Sequence, residues 1–295
     1  MFKKISVKKT KISAFSLVEL SIALLIIGIL IIGVSQGYGL VKSARISNAR
    51  SITAKSPISQ TQGLVAWYET TAKESFEQSE IKDGAQISKW KDISPSSVIS
   101  SANILTTTAS ANATYSQSSI NKIPAIKFSG TGKLSIANFT QGASSQATIF
   151  MVVKLNYVPD TTNLKTLLDG YSSSSDFSFS IKSNVAQVNA GSTGLSTATV
   201  NSFLNSGEYA IAIYFNGSSS KVFVNNTNSM LGGSAFNSGT NQLVGMTLGT
   251  NKSASAGFSG YISEVAVFNR VIKSTERKEI FNYFSKKYKI NISGV

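Results

Sequence analysis

The apolar and polar positions of this chain change from one long apolar stretch to a pattern of short alternating runs. Residues 15–34 read FSLVELSIALLIIGILIIGV, in which Glu19 is the one charged side chain. At about 1.5 Å per residue, twenty helical residues cover roughly 30 Å, the thickness of a bilayer core. Lysines precede the stretch, so the positive-inside rule places residues 1–14 in the cytoplasm. The pattern predicts a transmembrane helix over residues 15–36.

A helical pattern continues beyond the apolar stretch. The segment VKSARISNARSITAKS exposes Lys42, Arg45 and Arg50 to solvent, and Pro57 then stops the helix. We therefore assign residues 15–58 to one long N-terminal helix.

From residue 62 the period of the pattern becomes two. Runs such as GLVAWYET, TIFMVVKL and EYAIAIYF are rich in β-branched and aromatic residues and are separated by Ser, Gly, Asn and Thr clusters. Alternation of this kind is typical of half-buried antiparallel strands. With about a dozen such runs and no helix between them, we predict a mainly β fold, an antiparallel two-sheet jelly-roll sandwich over residues 62–290.

The end of the chain returns to a helical period. In KSTERKEIFNYFSKKYKI the helix begins at Ser274, has acidic residues in its first turns and lysines at its end, as the helix dipole favours. Its apolar face should pack on the sandwich. That face consists of Ile280, Tyr283, Phe284 and Tyr288.

The absence of two residue types excludes much chemistry. The 295 residues include no histidine and no cysteine. Histidine-dependent triads, most zinc sites and disulfides are therefore excluded. Any enzyme built from this chain would depend on carboxylates, lysines or a tyrosine.

The net charge is strongly positive without indicating nucleic acid. The formal charge is +14, and five of the 28 basic residues lie among residues 1–14, leaving 23 against 14 acidic ones. The remaining basic residues are scattered and are not interleaved with aromatic residues, so we expect no nucleic-acid partner. A basic surface near anionic head groups or cell-wall polymers accounts for the charge equally well.

The segment AFSLVEL resembles the processing and methylation motif of type IV prepilins and type II secretion pseudopilins. The resemblance implies that a prepilin peptidase removes the leader, residues 1–14, by cutting between Ala14 and Phe15. Phe15 then carries the N-methylated amine, and Glu19 is the fifth mature residue, where the family keeps a glutamate. The family usually has glycine where this chain has Ala14, and often threonine where it has Ser16.

Physical chemistry gives Glu19 a role that agrees with this resemblance. A carboxylate inside a bilayer is costly and needs a partner. The new amine of Phe15 on a neighbouring subunit would supply one and would set the axial register of a filament. The alternative is that Glu19 extends towards the inner head groups of a plain membrane anchor.

Residues 63–290 resemble a concanavalin A-like lectin/glucanase domain of the laminin-G-like type. The resemblance rests on GLVAWYET, on ISKWKDIS with Trp90, Asp92 and Ser94, on NKIPAIKFSG, and on FSGYISEVAVFNRVIKSTERKEIFNYFSKKYKI. Proteins of this family bind glycans or proteins, often with calcium at the rim of the sandwich. The resemblance therefore implies a glycan or a surface protein as ligand.

The residues that carry candidate chemistry in this domain are few. A sandwich glucanase needs paired carboxylates on one strand, and Glu264 stands alone in GYISEVAVF, so we expect no enzyme. Asp92, Asp169 and Asp176 are candidate calcium ligands or turn formers. Trp90, like Trp67, either stacks on a sugar or packs in the sandwich.

Together these features predict a minor pilin or adhesin-type filament subunit with a lectin-like head. Its partners are the prepilin peptidase, other pilin-like subunits and, before assembly, the bacterial inner membrane, with the head in the periplasm or outside the cell. Two alternatives stay open: a type II secretion pseudopilin whose head contacts cargo, and a membrane-anchored sandwich enzyme acting on glycans.

Overall fold

The structure is a computed structural model that describes most of the chain. The described residues are 16–96, 102–107, 113–142, 144–156, 163–171, 177–182, 185–191, 198–199 and 206–295. They divide into two compact units between Ser47 and Asn48, and each unit is described by itself below.

The first helix, α1, runs from Leu17 to Thr53 without interruption. It ends five residues before the predicted boundary at residue 58. Two turn residues and Ser56 separate it from the next helical segment. A 3-10 helix then covers Pro57–Gln60, with Pro57 in the first turn, where proline's missing N–H costs nothing. The Ser56 hydroxyl accepts the N–H of Ile58 at 3.2 Å and caps this short helix.

The last turns of α1 belong to the second unit. Ala49 is buried there, and the Arg50 guanidinium donates from Nε to the carbonyl of Thr71 at 2.6 Å. The hydroxyls of Thr53 and Tyr283 lie 3.4 Å apart. These contacts fasten the end of the helix to the β domain.

Two antiparallel sheets form the second unit. In sheet I the order is β13-β12-β7-β15-β5-β4. Strand β1 also pairs with β15, along residues 264–268, whereas β5 pairs with residues 259–262. The strands of sheet I are β1 (Leu64–Glu69), β4 (Ala113–Ile120), β5 (Ile123–Ser129), β7 (Ala147–Leu155), β12 (Gly207–Phe215), β13 (Lys221–Val224) and β15 (Ser259–Phe268).

Sheet II has the order β11-β10-β9-β8-β14-β6-β3-β2. Its strands are β2 (Lys89–Trp90), β3 (Leu105–Thr106), β6 (Leu134–Ile136), β8 (Lys165–Gly170), β9 (Ser178–Lys182), β10 (Val185–Asn189), β11 (Ala198–Thr199) and β14 (Met246–Leu248).

Strand β7 shows how the sequence builds the core. Successive side chains of a strand point to opposite faces, so Ile149, Met151 and Val153 enter the core between the sheets, whereas Phe150 and Val152 lie on the outer face of sheet I. This outer face is also buried. For that reason EYAIAIYF, which we expected to be half-buried, is buried on both faces from Ala210 onward.

The second helix, α2 (Ser274–Tyr288), covers the outer face of sheet I. It begins at Ser274 as predicted, after Lys273 as the N-cap residue, whose N–H is accepted by the carboxylate of Glu276 at 2.8 Å. Arg270 binds the same carboxylate with two nitrogens, at 2.6 and 3.0 Å, and so ties the end of β15 to α2. The four apolar residues predicted to pack on the sandwich are all buried.

The predicted fold class is confirmed. The chain is mainly β, with two antiparallel sheets packed as a sandwich, a long apolar N-terminal helix and a short C-terminal helix.

Candidate functional site

Of the residues singled out in the predicted processing motif, the structure describes Glu19, near the start of α1. Ala14 and Phe15 lie outside the described residues, as does the rest of the leader 1–14. Glu19 is in the first turn of α1 and is exposed, and its Oε2 accepts the N–H of Ser16 at 2.9 Å. A carboxylate in the first turn is favourable because it faces unpaired N–H groups.

Helix α1 exposes the apolar side chains that would face lipid or other helices. Leu17 is 85% exposed, and the large apolar residues between it and Val41 are at least half exposed. Within the described part of the chain it is the one helix long and apolar enough to cross a membrane. By length and composition, this segment can span a bilayer or act as a signal sequence.

Trp90 and Asp92 are both buried in the sandwich, with different partners. Trp90 is 0% exposed and packs against the rings of Tyr68 and Phe76. Asp92 Oδ1 accepts the N–H groups of Trp67 and Ser94, each at 2.8 Å. Its Oδ2 accepts the Ser94 hydroxyl at 3.0 Å and the Asn103 amide at 3.3 Å. In this structure the W-x-D-x-S turn fastens β1.

Asp169 lies elsewhere, on β8. Its two oxygens accept the N–H groups of Gly170 and Lys252, at 2.9 and 2.8 Å, and the side chain is buried. Asp176 falls outside the described residues. Among the residues that the structure describes, no three His, Cys, Asp or Glu side chains group as a metal site would require. Calcium binding stays a prediction.

A cavity of about 530 Å³ opens beside the last turns of α1. Its volume falls in the range of small-ligand sites. Its walls combine apolar surface with groups of both charges and with the indole of Trp67. It is lined by Arg50, Thr53, Ala54, Ser59, Trp67, Ala72, Lys73, Glu74 and Ile93.

A cluster of polar residues that the sequence did not predict is buried between sheet I and α2. Glu69 and Glu264 stand opposite each other on β1 and β15, and Lys287 of α2 lies over both. Lys287 Nζ is 2.7 Å from Glu69 Oε1 and 2.8 Å from Glu264 Oε2, and all three side chains are 0% exposed. We call these three residues the Glu-Lys-Glu cluster.

Neighbouring donors complete the coordination of the two carboxylates. Glu264 Oε1 accepts Trp67 Nε1 at 2.7 Å and the Tyr283 hydroxyl at 2.8 Å, and its Oε2 accepts the Tyr288 hydroxyl at 2.7 Å. The backbone N–H groups that bind Glu69 are those of Thr71, at 2.8 Å, and Ala72, at 2.7 Å.

A β-bulge aims Glu264 at the helix. The register of β15 against β7 shifts between Ile262 and Glu264. Ile262 and Val265 therefore both face the core between the sheets, and Glu264 shares the outer face with Ala266. Strict alternation through Ser263, without a bulge, would put Glu264 on the same face as Ile262, in the apolar core.

Burial dominates the electrostatics of this cluster. It raises the pKa of Glu264, with Lys287 opposing the rise and the charge of Glu69 adding to it. Burial and the neighbouring carboxylates raise the pKa of Tyr283 and of Tyr288 far above their ordinary range, so both hydroxyls stay protonated donors.

The sequence pattern does not predict this cluster, for two reasons. A lysine in a last helical turn fits the helix dipole, so Lys287 gave no sign of burial. The usable signal was a glutamate at the end or in the middle of two otherwise apolar strands, LVAWYE and SGYISEVAVF. Their pairing brings together two carboxylates that are 195 positions apart in the chain.

Comparison with known proteins relates the sandwich to solved structures at the level of fold. The chain matches no protein-family model and no curated protein. A Trypanosoma rangeli sialidase in complex with the inhibitor DANA aligns with 75% of this chain and 33% of its own, at 15% identity and a TM-score of 0.51. Domain 4 of AbnA, a GH43 extracellular arabinanase from Geobacillus stearothermophilus in complex with arabinotriose, aligns with 74% of this chain and 97% of its own, at 15% identity and a TM-score of 0.51.

These similarities agree with the architecture described above. The chain spans about a third of the length of the sialidase and nearly all of the arabinanase domain. At such low identity the likeness shows a β-sandwich fold, and the apolar helix α1 precedes that sandwich in the chain.

Proposed function

We propose that this chain is a type IV pilin-like filament subunit, of the minor pilin or adhesin type, whose sandwich head binds a surface ligand. The observation that carries the proposal is the segment AFSLVEL at the start of a long apolar stretch of the sequence. It follows a leader with five lysines and places Glu19 five residues after the expected cut. A prepilin peptidase would release Phe15 as the methylated N-terminus.

The exposed face of α1 supports this role. Apolar side chains along 25 residues from Leu17 to Val41 need a bilayer before assembly and other helices after it. Glu19 is the one acidic residue of α1. A cationic amine from a neighbouring subunit would neutralise it, and the pair would fix the register of the subunits along the filament.

For the head, we propose an oligosaccharide ligand and assign it to the cavity beside Trp67. Arg50, Lys73 and Glu74 offer donors and acceptors around a mainly apolar wall, a combination typical of small-ligand sites. Domain 4 of AbnA, which shares the fold, was solved with arabinotriose. Oligosaccharides are therefore the first ligands to test, with or without calcium as a cofactor.

Two alternative functions share the N-terminal helix. A type II secretion pseudopilin would use the same processing, and its head would contact cargo. A membrane-anchored enzyme acting on glycans would need an accessible carboxylate pair. The Glu69 and Glu264 carboxylates are close, but both are fully buried and held by donors.

The Glu19→Val substitution tests the filament role. We expect the variant to stay in the membrane and its incorporation into sheared filaments to fall by more than about tenfold, because removing one partner of a buried charge pair costs about 3–5 kcal/mol. The measurement is quantitative immunoblotting of filament and membrane fractions.

A matched variant and N-terminal sequencing make this test specific. Leu20→Val changes the neighbouring residue without altering charge and should assemble normally. Sequencing of the wild-type filament subunit should begin at methylated Phe15. Equal incorporation of the Glu19→Val variant, or filaments containing a chain that still begins at Met1, would contradict the proposal.

A further inference from the structure

The Glu-Lys-Glu cluster has the arrangement that amide formation between side chains requires. An amine lies in contact with two carboxyl groups, with Nζ at 2.7 Å from one and 2.8 Å from the other. None of the three side chains is exposed to solvent. Sites that hold reacting groups together and exclude water convert a slow bimolecular reaction into a fast intramolecular one.

The charge balance of the cluster disfavours its fully ionised form. Two carboxylates and one ammonium leave one negative charge in excess, and burial raises the pKa of Glu264. A proton retained on Glu264 removes the excess charge and makes its carbonyl carbon a better electrophile. Glu69 Oε1, at 2.7 Å from Lys287 Nζ, is the neighbouring oxygen placed to receive a proton from this nitrogen.

The hydrogen bonds give the two carboxyl groups different roles. Glu264 Oε1 accepts from Trp67 Nε1 and from the Tyr283 hydroxyl, so negative charge developing on this oxygen would be stabilised. Tyr288 holds Oε2 at 2.7 Å, where a leaving oxygen would sit. Glu69 is bound by two backbone N–H groups and by Lys287, which positions it to accept a proton.

We propose that Lys287 and Glu264 condense to an intramolecular amide bond, with Glu69 as the proton acceptor. Glu69 takes one proton from the Lys287 ammonium, and the neutral Nζ attacks Cδ of the protonated Glu264. The N–C bond forms, the C–Oε2 bond breaks, and Oε2 leaves with its own proton and one from Nζ as a water molecule. The product is a neutral amide beside a protonated Glu69, and no oxidant or second reactant is needed.

The bond would join the last helix covalently to the central region of sheet I. Glu264 lies on β15, which pairs with β7, β5 and β1, and Lys287 lies in the last turn of α2. The amide would replace buried opposite charges by a neutral group and hold α2 on the sheet even under denaturing conditions. This inference does not rest on the proposed function.

Mass spectrometry of the full chain tests the bond. The chain is purified from membranes in detergent, denatured and digested with trypsin. We expect residues 253–270 joined to residues 287–289, with a mass lower than the sum of the two peptides by one water molecule. This readout is independent of processing at Phe15. Recovery of residues 253–270 unlinked at their sequence mass, together with cleavage after Lys287, would overturn the proposal.

Variants assign the roles within the cluster. Lys287→Arg keeps the positive charge and should abolish the joined peptide, whereas Lys286→Arg, one residue away and exposed, should keep it. Folded Glu69→Gln protein, recognised by a wild-type circular dichroism spectrum, should lack the joined peptide or form it much more slowly. Residues 287–289 joined to residues 56–73 would show Glu69, not Glu264, as the acceptor and would contradict the assignment.

Discussion

At the residue scale, Asp92 shows how one buried carboxylate organises a strand end. It accepts two backbone N–H groups, those of Trp67 and Ser94. The Asn103 amide bonds it from the opposite side and also donates to the carbonyl of Val65. The carboxylate therefore joins β1 to the two segments that follow it.

Replacing Asp92 with alanine should lower the free energy of unfolding by about 2–4 kcal/mol, because each buried N–H left without an acceptor costs about 1–3 kcal/mol. Urea unfolding of the full chain in detergent, followed by tryptophan fluorescence, measures this loss. Asp83→Ala is the matched control, since Asp83 is exposed and accepts one N–H, that of Gln117, at 2.8 Å. Equal stability of the two variants would count against the role of Asp92.

The pH dependence of stability gives a second readout of the same carboxylate. Burial is the largest influence on the Asp92 pKa and raises it, although hydrogen bonds from Trp67, Ser94 and Asn103 oppose the rise. The folded state then binds the proton more tightly than the unfolded state. Stability contributed by this group falls as pH rises from the ordinary aspartate pKa of about 3.9 to the raised value. The Asp92→Ala variant should lack this fall in stability with rising pH.

At the element scale, α2 completes the core by covering the outer face of sheet I. Its aromatic residues pack on Phe150 of β7, and the rings of Phe281 and Phe284 lie 5.9 and 6.2 Å from that ring. Arg277 is buried in the same layer, 3.9 Å from the ring of Phe223, and donates to the carbonyl of Thr227. The helix is thus held by apolar packing, by Arg277 and by the Glu-Lys-Glu cluster.

Sequence periodicity predicts helix α2 and its buried face, but it does not predict the polar contacts of this helix. The spacing of Ile280, Tyr283, Phe284 and Tyr288 is local information, so the helix and its buried face follow from it directly. The partners of Lys287 are not local, because they depend on the pairing of β1 with β15 and on a bulge at Ser263. Likewise, the W-x-D-x-S pattern indicates a fixed turn, but only the tertiary contacts show that Trp90 enters the core.

The Phe284→Ala substitution should destabilise the β domain by about 3–5 kcal/mol, the cost typical of removing a fully buried aromatic ring. The ring is 0% exposed and contacts Phe150, Tyr283 and Tyr288. Equilibrium unfolding of the full chain in detergent provides the measurement. Lys286→Ala, on the exposed side of α2, should change stability by less than about 0.5 kcal/mol. A loss below about 1 kcal/mol for Phe284→Ala would contradict this packing.

At the scale of the whole molecule, the two units bury apolar surface in different ways. The β unit buries its apolar residues in two layers, one between the sheets and one between sheet I and α2. In the first unit, large apolar residues from Leu17 to Val41 are left exposed. The exposed apolar surface of the first unit is the kind that marks an interaction site, whereas the second unit has an apolar core of its own.

A folded head with its own cavity leads to a binding prediction for the full chain. We expect the purified protein, in detergent on an oligosaccharide array, to bind a defined set of sugars through the cavity beside Trp67. Lys73→Ala should weaken that binding at least about tenfold, since a hydrogen bond to a charged group contributes about 1.5–3 kcal/mol. Lys82→Ala is the matched control, because Lys82 is exposed but does not line the cavity. We expect the signal to survive removal of calcium, because backbone and side-chain donors of the protein already bind the oxygens of Asp92, and backbone N–H groups bind those of Asp169. Equal binding by both lysine variants would place the ligand elsewhere on the head, and loss of binding with a chelator would make calcium part of the site.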